Sequence, residues 1–121
     1  MNWTVTAAAT LALAVGLGAF GAHGLQDRLD EYSKGIYETG VMYHFFHALG
    51  LLAIPLLIKN GLVTPGAGNL AAWLLLGGIV LFSGSLYVLA VTGIKILGAI
   101  TPIGGVGFIA GWLALAYGAM K

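Results

Sequence analysis

Four stretches of this 121-residue sequence are free of Asp, Glu, Lys and Arg for long enough to cross a lipid bilayer. A transmembrane helix needs about 20 predominantly apolar residues, because the hydrocarbon core is about 30 Å thick. The stretches predict spans at residues 3–22, 41–58, 70–91 and 102–120. We therefore expect an all-α membrane protein whose four transmembrane helices form one domain, residues 1–121.

The composition favours lipid as the solvent of most of this chain. Only 7% of its residues are charged and 60% are hydrophobic, whereas soluble domains are roughly 25% charged. We expect a multi-pass protein of the cell membrane. The net charge of +1 and the lack of any Lys/Arg-rich run exclude a typical nucleic-acid-binding surface. The absence of cysteine excludes disulfides, thiolate nucleophiles and Cys-based metal sites.

The first span is rich in glycine and alanine. Gly16, Gly18 and Gly21 form the pattern G-x-G-x-x-G, which binds dinucleotides only where it follows a strand and opens a helix. No strand pattern precedes it, so small residues spaced for close helix packing explain it better. Gly-rich faces of this kind predict tight packing within the bundle, and they also permit association between copies of the chain.

Residues 24–38 are polar and contain all four acids of the chain. Their apolar side chains recur at intervals of four, three and four residues, at Leu25, Leu29, Tyr32 and Ile36. This period predicts an amphipathic helix lying at the membrane surface, and a solvated loop is the alternative because glycines interrupt it. Lys34 and Glu38, four residues apart, are spaced for a surface ion pair.

The remaining connections differ in character. Residues 59–69 are rich in turn formers and predict a loop. Residues 92–102 are largely apolar, so we expect them at the interface, anchored by Lys95. Thr101 followed by Pro102 predicts an N-cap and the first turn of the fourth span.

The positive charges bear on the orientation. The first and third connections contain three of them, against two in the second connection and the C-terminus: Arg28, Lys34 and Lys95 against Lys59 and Lys121. By the positive-inside rule, this difference predicts that the termini lie outside.

Polar side chains enter the second span and make it the candidate functional region. His44 and His47 are three residues apart, and Tyr43 shares their arc, which we expect to face the bundle interior. Ser83 and Tyr87 share one face of the third span, whereas Ser85 points away and is expected to bond only to its own helix. The full candidate polar site is His23, Glu38, Tyr43, His44, His47, Ser83 and Tyr87.

Several functions are compatible with this constellation. Polar packing between helices in a structural or accessory membrane protein is the favoured interpretation. A small ion or metabolite carrier is the alternative, as are haem ligation and a metal site, the latter only if His23 and Glu38 fold against the second span. No nucleophile, base and orienting acid lie at suitable spacings, so we predict a non-enzymatic protein without a cofactor.

Three sequence blocks are typical of a known family: GAFGAHGL (18–25), ETGVMYHFFHAL (38–49) and FSGSLYVLAVTGIKILGAITPIGGVGFIAGW (82–112). In these blocks the chain resembles the YgdD/YwdK-like family of small four-helix membrane proteins, a domain-of-unknown-function family with a small human relative. The resemblance implies a membrane location, four helices and no established activity, and it supplies no catalytic residues. The chain departs from the family pattern at Gly24, where alanine is usual, and at His44, where glutamine is common. A function that requires both His44 and His47 would therefore not extend to relatives with glutamine.

Overall fold

The structure is a computed structural model that describes residues 1–120 and consists there of helices and turns. Its long helices are α1 (Trp3–His23), α2 (Glu31–Lys59), α3 (Pro65–Thr92) and α4 (Thr101–Ala119). A 3-10 turn at Lys95–Ala99 precedes α4. With that turn counted as part of α4, all four are long and apolar enough to cross a membrane, so the predicted all-α, four-span fold is confirmed.

The helices run alternately up and down. α2 packs against α1 on one side and α3 on the other, and α4 packs against α3. Trp3 Nε1 donates to Asn69 Oδ1 at 2.7 Å, which places the start of α1 beside the start of α3. The Thr64 amide donates to the Gly118 carbonyl at 3.0 Å, which places the end of α4 on the same side. This side therefore contains the N-terminus and the second connection.

The core lies where α2 and α3 cross the middle of the bundle. Its largest fully buried apolar side chains are Leu51, Ile54 and Leu75. Small residues dominate the remainder, and several of them are fully buried: Ala7, Ala48, Ala71 and Ala72. Large apolar side chains such as Phe46 and Leu113 are exposed on the outside, as expected for a surface that faces lipid.

The 24–38 segment differs from the predicted surface helix. Residues 24–29 form turns and bends, and residues 31–38 are the first turns of α2. Asp30 separates the two parts, because its Oδ1 accepts from the Ser33 amide at 2.8 Å and so caps α2. That bond also holds the pKa of the Asp30 carboxyl below its usual value. The predicted Lys34–Glu38 pair is wrong as well, since Lys34 Nζ lies 3.5 Å from Glu31 Oε1.

Two predicted boundaries need correction. The second connection covers only residues 60–64 rather than 59–69, because Pro65 occupies the first helical turn of α3, where its fixed φ favours a helix start. Thr101 is the first residue of α4 rather than its N-cap. Its hydroxyl oxygen lies 3.3 Å from the Leu97 carbonyl oxygen, one turn back.

Helix α3 contains one irregularity, a π-helical segment at Ile79–Ser83. The Gly84 amide closes it by donating to the Ile79 carbonyl, five residues back. A π segment inserts one extra residue into a helix, so the turns after it are rotated relative to the turns before it. It therefore adjusts the face that Ser83 and Tyr87 present to α2.

Candidate functional site

His44 occupies the centre of the polar cluster. Its side chain is 1% exposed, its Nε2 lies 2.9 Å from the Thr10 carbonyl oxygen in α1, and its Nδ1 lies 2.8 Å from the Tyr87 hydroxyl in α3. A carbonyl oxygen only accepts hydrogen bonds, so Nε2 must donate to Thr10. In the neutral ring Nδ1 then accepts from Tyr87. His44 thus joins α2 to both of its neighbours.

Two further bonds surround His44. The Ser83 hydroxyl donates to the Gly40 carbonyl at 2.7 Å, one turn before His44 on α2. The Tyr37 hydroxyl donates to the Leu17 carbonyl of α1. Each of these bonds joins side chain to backbone across two helices, so α2 is held to α1 and α3 at successive turns.

His47 has a different environment. Its Nδ1 lies 2.7 Å from the Tyr43 carbonyl of the same helix and therefore donates to it. Its ring stacks on Phe108 of α4, with centroids 3.6 Å apart and planes 14° from parallel. In the neutral ring Nε2 is left as an acceptor, and the hydrogen bond of the ring within residues 1–120 is the one from Nδ1. His47 therefore contributes mainly aromatic contact to α4.

Tyr43 lies at the edge of the bundle. Its side chain is 36% exposed, and its ring packs against Phe82 with centroids 4.4 Å apart. The ring is also parallel to that of His47, at a centroid distance of 5.8 Å. Of the predicted arc, both histidines are buried in the interior and Tyr43 only borders it.

Ser85 corrects one sequence-based expectation. Its hydroxyl donates to the Phe82 carbonyl at 2.9 Å, as expected for a bond within one helix. It also shares a hydrogen bond with the Thr101 hydroxyl of α4 at 2.6 Å. The spacing of Ser83 and Ser85 indicated opposite faces, and the structure shows that both faces have a neighbouring helix.

His23 and Glu38 lie apart from the histidine pair. His23 is exposed at the end of α1, 13 residues after Thr10, which is about 20 Å along a helix. Glu38 is exposed on α2 and borders a cavity of about 300 Å³ between α1 and α2, which we call the α1–α2 cavity. Within residues 1–120, the acids and histidines form no group of three that could hold a metal ion.

The α1–α2 cavity is formed by the two helices and their connection. Among the side chains and backbone that line it are Gly18, Gln26, Lys34, Glu38, Val41 and Met42. A second, more open depression of about 440 Å³ lies beside the start of α2, between Glu31 and Leu86. Neither is lined by His44 or His47.

Sequence reasoning missed two important partners of the histidines. The Thr10 carbonyl is a backbone acceptor, and no pattern of residue types marks it. Phe108 had a signal, because it is the only phenylalanine of the fourth span and has glycine on both sides, at Gly107 and Gly111. A large ring among small residues fits between helices, and Gly78 on α3 makes room for it: a Cβ there would lie 2.5 Å from Phe108 Cδ1.

No solved structure matches this chain significantly. Among curated proteins it is 53% identical to the UPF0382 membrane protein YwdK of Bacillus subtilis, over 90% of this chain and 88% of that protein. It is likewise 53% identical to a UPF0382 membrane protein of Staphylococcus epidermidis, over 90% of this chain and 87% of that protein. A family model described as "Protein of unknown function (DUF423)" matches residues 17–105. These matches and the four membrane-spanning helices confirm the resemblance drawn from the three sequence blocks, and the chain belongs to the DUF423 family of small integral membrane proteins.

Proposed function

We propose that this protein is a structural or accessory membrane protein whose buried polar side chains serve to hold its helices together. The proposal rests on the hydrogen bonds and the burial of His44. Both of its ring nitrogens are bonded to protein groups on neighbouring helices, and its ring is 1% exposed. A histidine in this condition has no free lone pair with which to bind a metal or a substrate.

The energies are sufficient for such a role. Hydrogen bonds between helices in a membrane contribute about 0.6 kcal/mol on average. His44, Ser83 and Tyr37 make four of them across helices, which amounts to about 2–3 kcal/mol at that average. Because native proteins are stable by only about 5–15 kcal/mol, this contribution explains the polar residues without any chemistry.

The carrier and metal alternatives have less support. A transport path needs polar, accessible groups at several depths, whereas neither described cavity is lined by the histidine pair. Nε2 of His47 is the one ring nitrogen of the pair that no described residue occupies. A metal bound there would need further ligands, and His23 and Glu38 do not lie beside it.

The test compares stability and transport in one variant, His47→Leu. It removes the bond to the Tyr43 carbonyl and the aromatic stack on Phe108, so we expect a loss of about 1 kcal/mol in the free energy of unfolding in detergent. In proteoliposomes loaded with a pH-sensitive dye, we expect native protein and variant to leak protons no faster than protein-free vesicles. The same should hold for Zn²⁺ with a metal-sensitive dye.

A flux above that of protein-free vesicles, lost in a folded His47→Leu protein, would overturn the proposal in favour of a carrier. A variant as stable as the native protein would contradict the packing role of His47.

A further inference from the structure

The α1–α2 cavity combines a charged mouth with an apolar interior. Gln26, Lys34 and Glu38 line its outer end, near the turn that joins the helices. Gly18, Val41 and Met42 line it further along α1 and α2. From Lys34 to Val41 the helix rises about 10 Å, so the cavity extends from the membrane interface into the apolar layer. A ligand that fits both ends must be amphiphilic.

The mouth holds charges of both signs on one helix face. Lys34 and Glu38 are four residues apart on α2, so their side chains lie on the same side. Lys34 is directed toward Glu31, with its Nζ 3.5 Å from Glu31 Oε1, and its side chain is only 25% exposed. The Glu38 carboxylate has no salt bridge within residues 1–120. The mouth therefore presents the unpaired Glu38 carboxylate and the Lys34 ammonium, whose three N–H donors allow a second partner beside Glu31.

This pair of charges matches a headgroup that itself has both signs. A phosphate would bind the Lys34 ammonium, and a primary ammonium would donate to Glu38, whose carboxylate oxygens only accept. A choline headgroup has no N–H to donate, and a headgroup with phosphate alone would be repelled by Glu38. The chemistry at the mouth thus favours a zwitterionic lipid with a primary amine.

We propose that the α1–α2 cavity binds a phospholipid of the phosphatidylethanolamine type. Its phosphate lies at Lys34, its ammonium at Glu38, and the beginning of an acyl chain lies against Gly18 and Met42. This site is separate from His44 and His47 and goes beyond the structural role proposed above, and either proposal can fail while the other holds.

The experiment measures binding to delipidated protein in detergent by thermal unfolding. The probes are dihexanoyl phosphatidylethanolamine, dihexanoyl phosphatidylglycerol and free phosphoethanolamine. We expect the first to raise the unfolding midpoint at about tenfold lower concentration than the second, because one charged hydrogen bond to Glu38 is lost with the glycerol headgroup. Phosphoethanolamine, which has no acyl chain, should have little effect.

Substitutions at the mouth of the α1–α2 cavity test whether its charged residues bind the lipid headgroup. Glu38→Gln should weaken binding of phosphatidylethanolamine about tenfold and abolish its preference over phosphatidylglycerol. Lys34→Gln should weaken the binding of both lipids. Asp27→Asn makes the same charge change as Glu38→Gln at an exposed residue of the turn before α2 that does not line the cavity, and this variant should bind the lipid as the native protein does.

Three outcomes would overturn the proposal. Equal affinity for the two lipids would show that the charges do not select the headgroup. A Glu38→Gln protein that keeps the native preference would exclude Glu38 as the ammonium partner. Phosphoethanolamine binding as tightly as the lipid would identify a soluble phosphorylated amine as the ligand. All three substitutions change polar side chains outside the buried core, so the variants are expected to fold.

Discussion

The α3–α4 and α1–α2 interfaces show two different ways to join helices in lipid. Between α3 and α4, glycines bring backbones into contact: a Cβ on Gly104 would overlap the backbone nitrogen of Phe82, and one on Gly111 would lie 3.3 Å from the Ala71 carbonyl. Between α1 and α2 there is a cavity beside Gly18, and hydrogen bonds from Tyr37 and His44 cross the interface. The first interface depends mainly on shape, with one side-chain hydrogen bond between Ser85 and Thr101, and the second depends mainly on hydrogen-bond donors and acceptors.

The difference has a physical origin. Lipid tails are as apolar as leucine, so burial of apolar surface does not by itself drive helices together in a membrane. Dispersion forces at close contact and hydrogen bonds remain. The α3–α4 pair relies mainly on dispersion forces and tolerates no added methyl group at its closest contacts. The α1–α2 pair relies mainly on hydrogen bonds and leaves space that a ligand can fill.

The largest loss of stability is expected from a substitution that breaks the close contact between α3 and α4. In Gly104→Ala the new methyl would meet the Phe82 backbone, which cannot rotate away as a side chain can. We expect a loss of about 3 kcal/mol in the free energy of unfolding, measured by denaturant titration in detergent. The matched control is Gly105→Ala, where a Cβ would lie 3.8 Å from Phe82 Cδ2, in ordinary contact. Equal losses in both variants would mean that backbone contact does not define this interface.

A smaller loss of stability is expected from substitutions of His44 at the α1–α2 interface. In His44→Asn the side chain is too short to reach the Thr10 carbonyl, so we expect a loss of about 1–2 kcal/mol. In His44→Gln the amide nitrogen lies near the position of Nε2 and keeps the bond to α1, so the loss should be smaller. The measurement is again unfolding in detergent, and an asparagine variant at least as stable as the glutamine one would contradict the assigned bond.

The smallest effect should come from the open part of the α1–α2 interface. In Gly18→Ala the Cβ would lie 3.4 Å from Val41 Cγ1, an ordinary contact. Alanine is also the better helix former by about 1 kcal/mol, so we expect stability to stay unchanged or rise slightly in the same detergent assay. Gly21→Ala, on the same helix, would strike the Tyr37 ring and should destabilise. A Gly18→Ala protein as unstable as Gly104→Ala would show that the two interfaces do not differ.

Much of the candidate site could be anticipated from single-helix geometry. The spacing of His44 and His47 placed them on neighbouring faces of one helix, and both are buried. The same geometry could not assign their partners. His44 bonds to a helix on each side, and His47 stacks on Phe108 of the last helix. Ser85 was expected to bond locally because a helical period describes one helix and contains no information about its neighbours.

The helix ends likewise depend partly on local sequence and partly on tertiary contacts. Asp30 caps the start of α2 and Pro65 occupies the first turn of α3, and both act through local chemistry that the sequence contains. The periodicity across residues 24–38 nevertheless indicated one helix where the structure has a turn followed by the start of α2. Leu25 explains part of the error: it is buried against Tyr37 and Ala90 by tertiary contact, so its apolar character did not require a helical position.

The sequence by itself determined the solvent and the number of helices, because four uncharged stretches of this length can satisfy their backbone hydrogen bonds in lipid only as helices. The tertiary structure alone decided the rotation and offset of each helix, and with them the Thr10–His44–Tyr87 connection and the α1–α2 cavity. Those properties depend on contacts between residues far apart in the chain, where one methyl group at Gly104 or Gly78 determines whether two helices can meet.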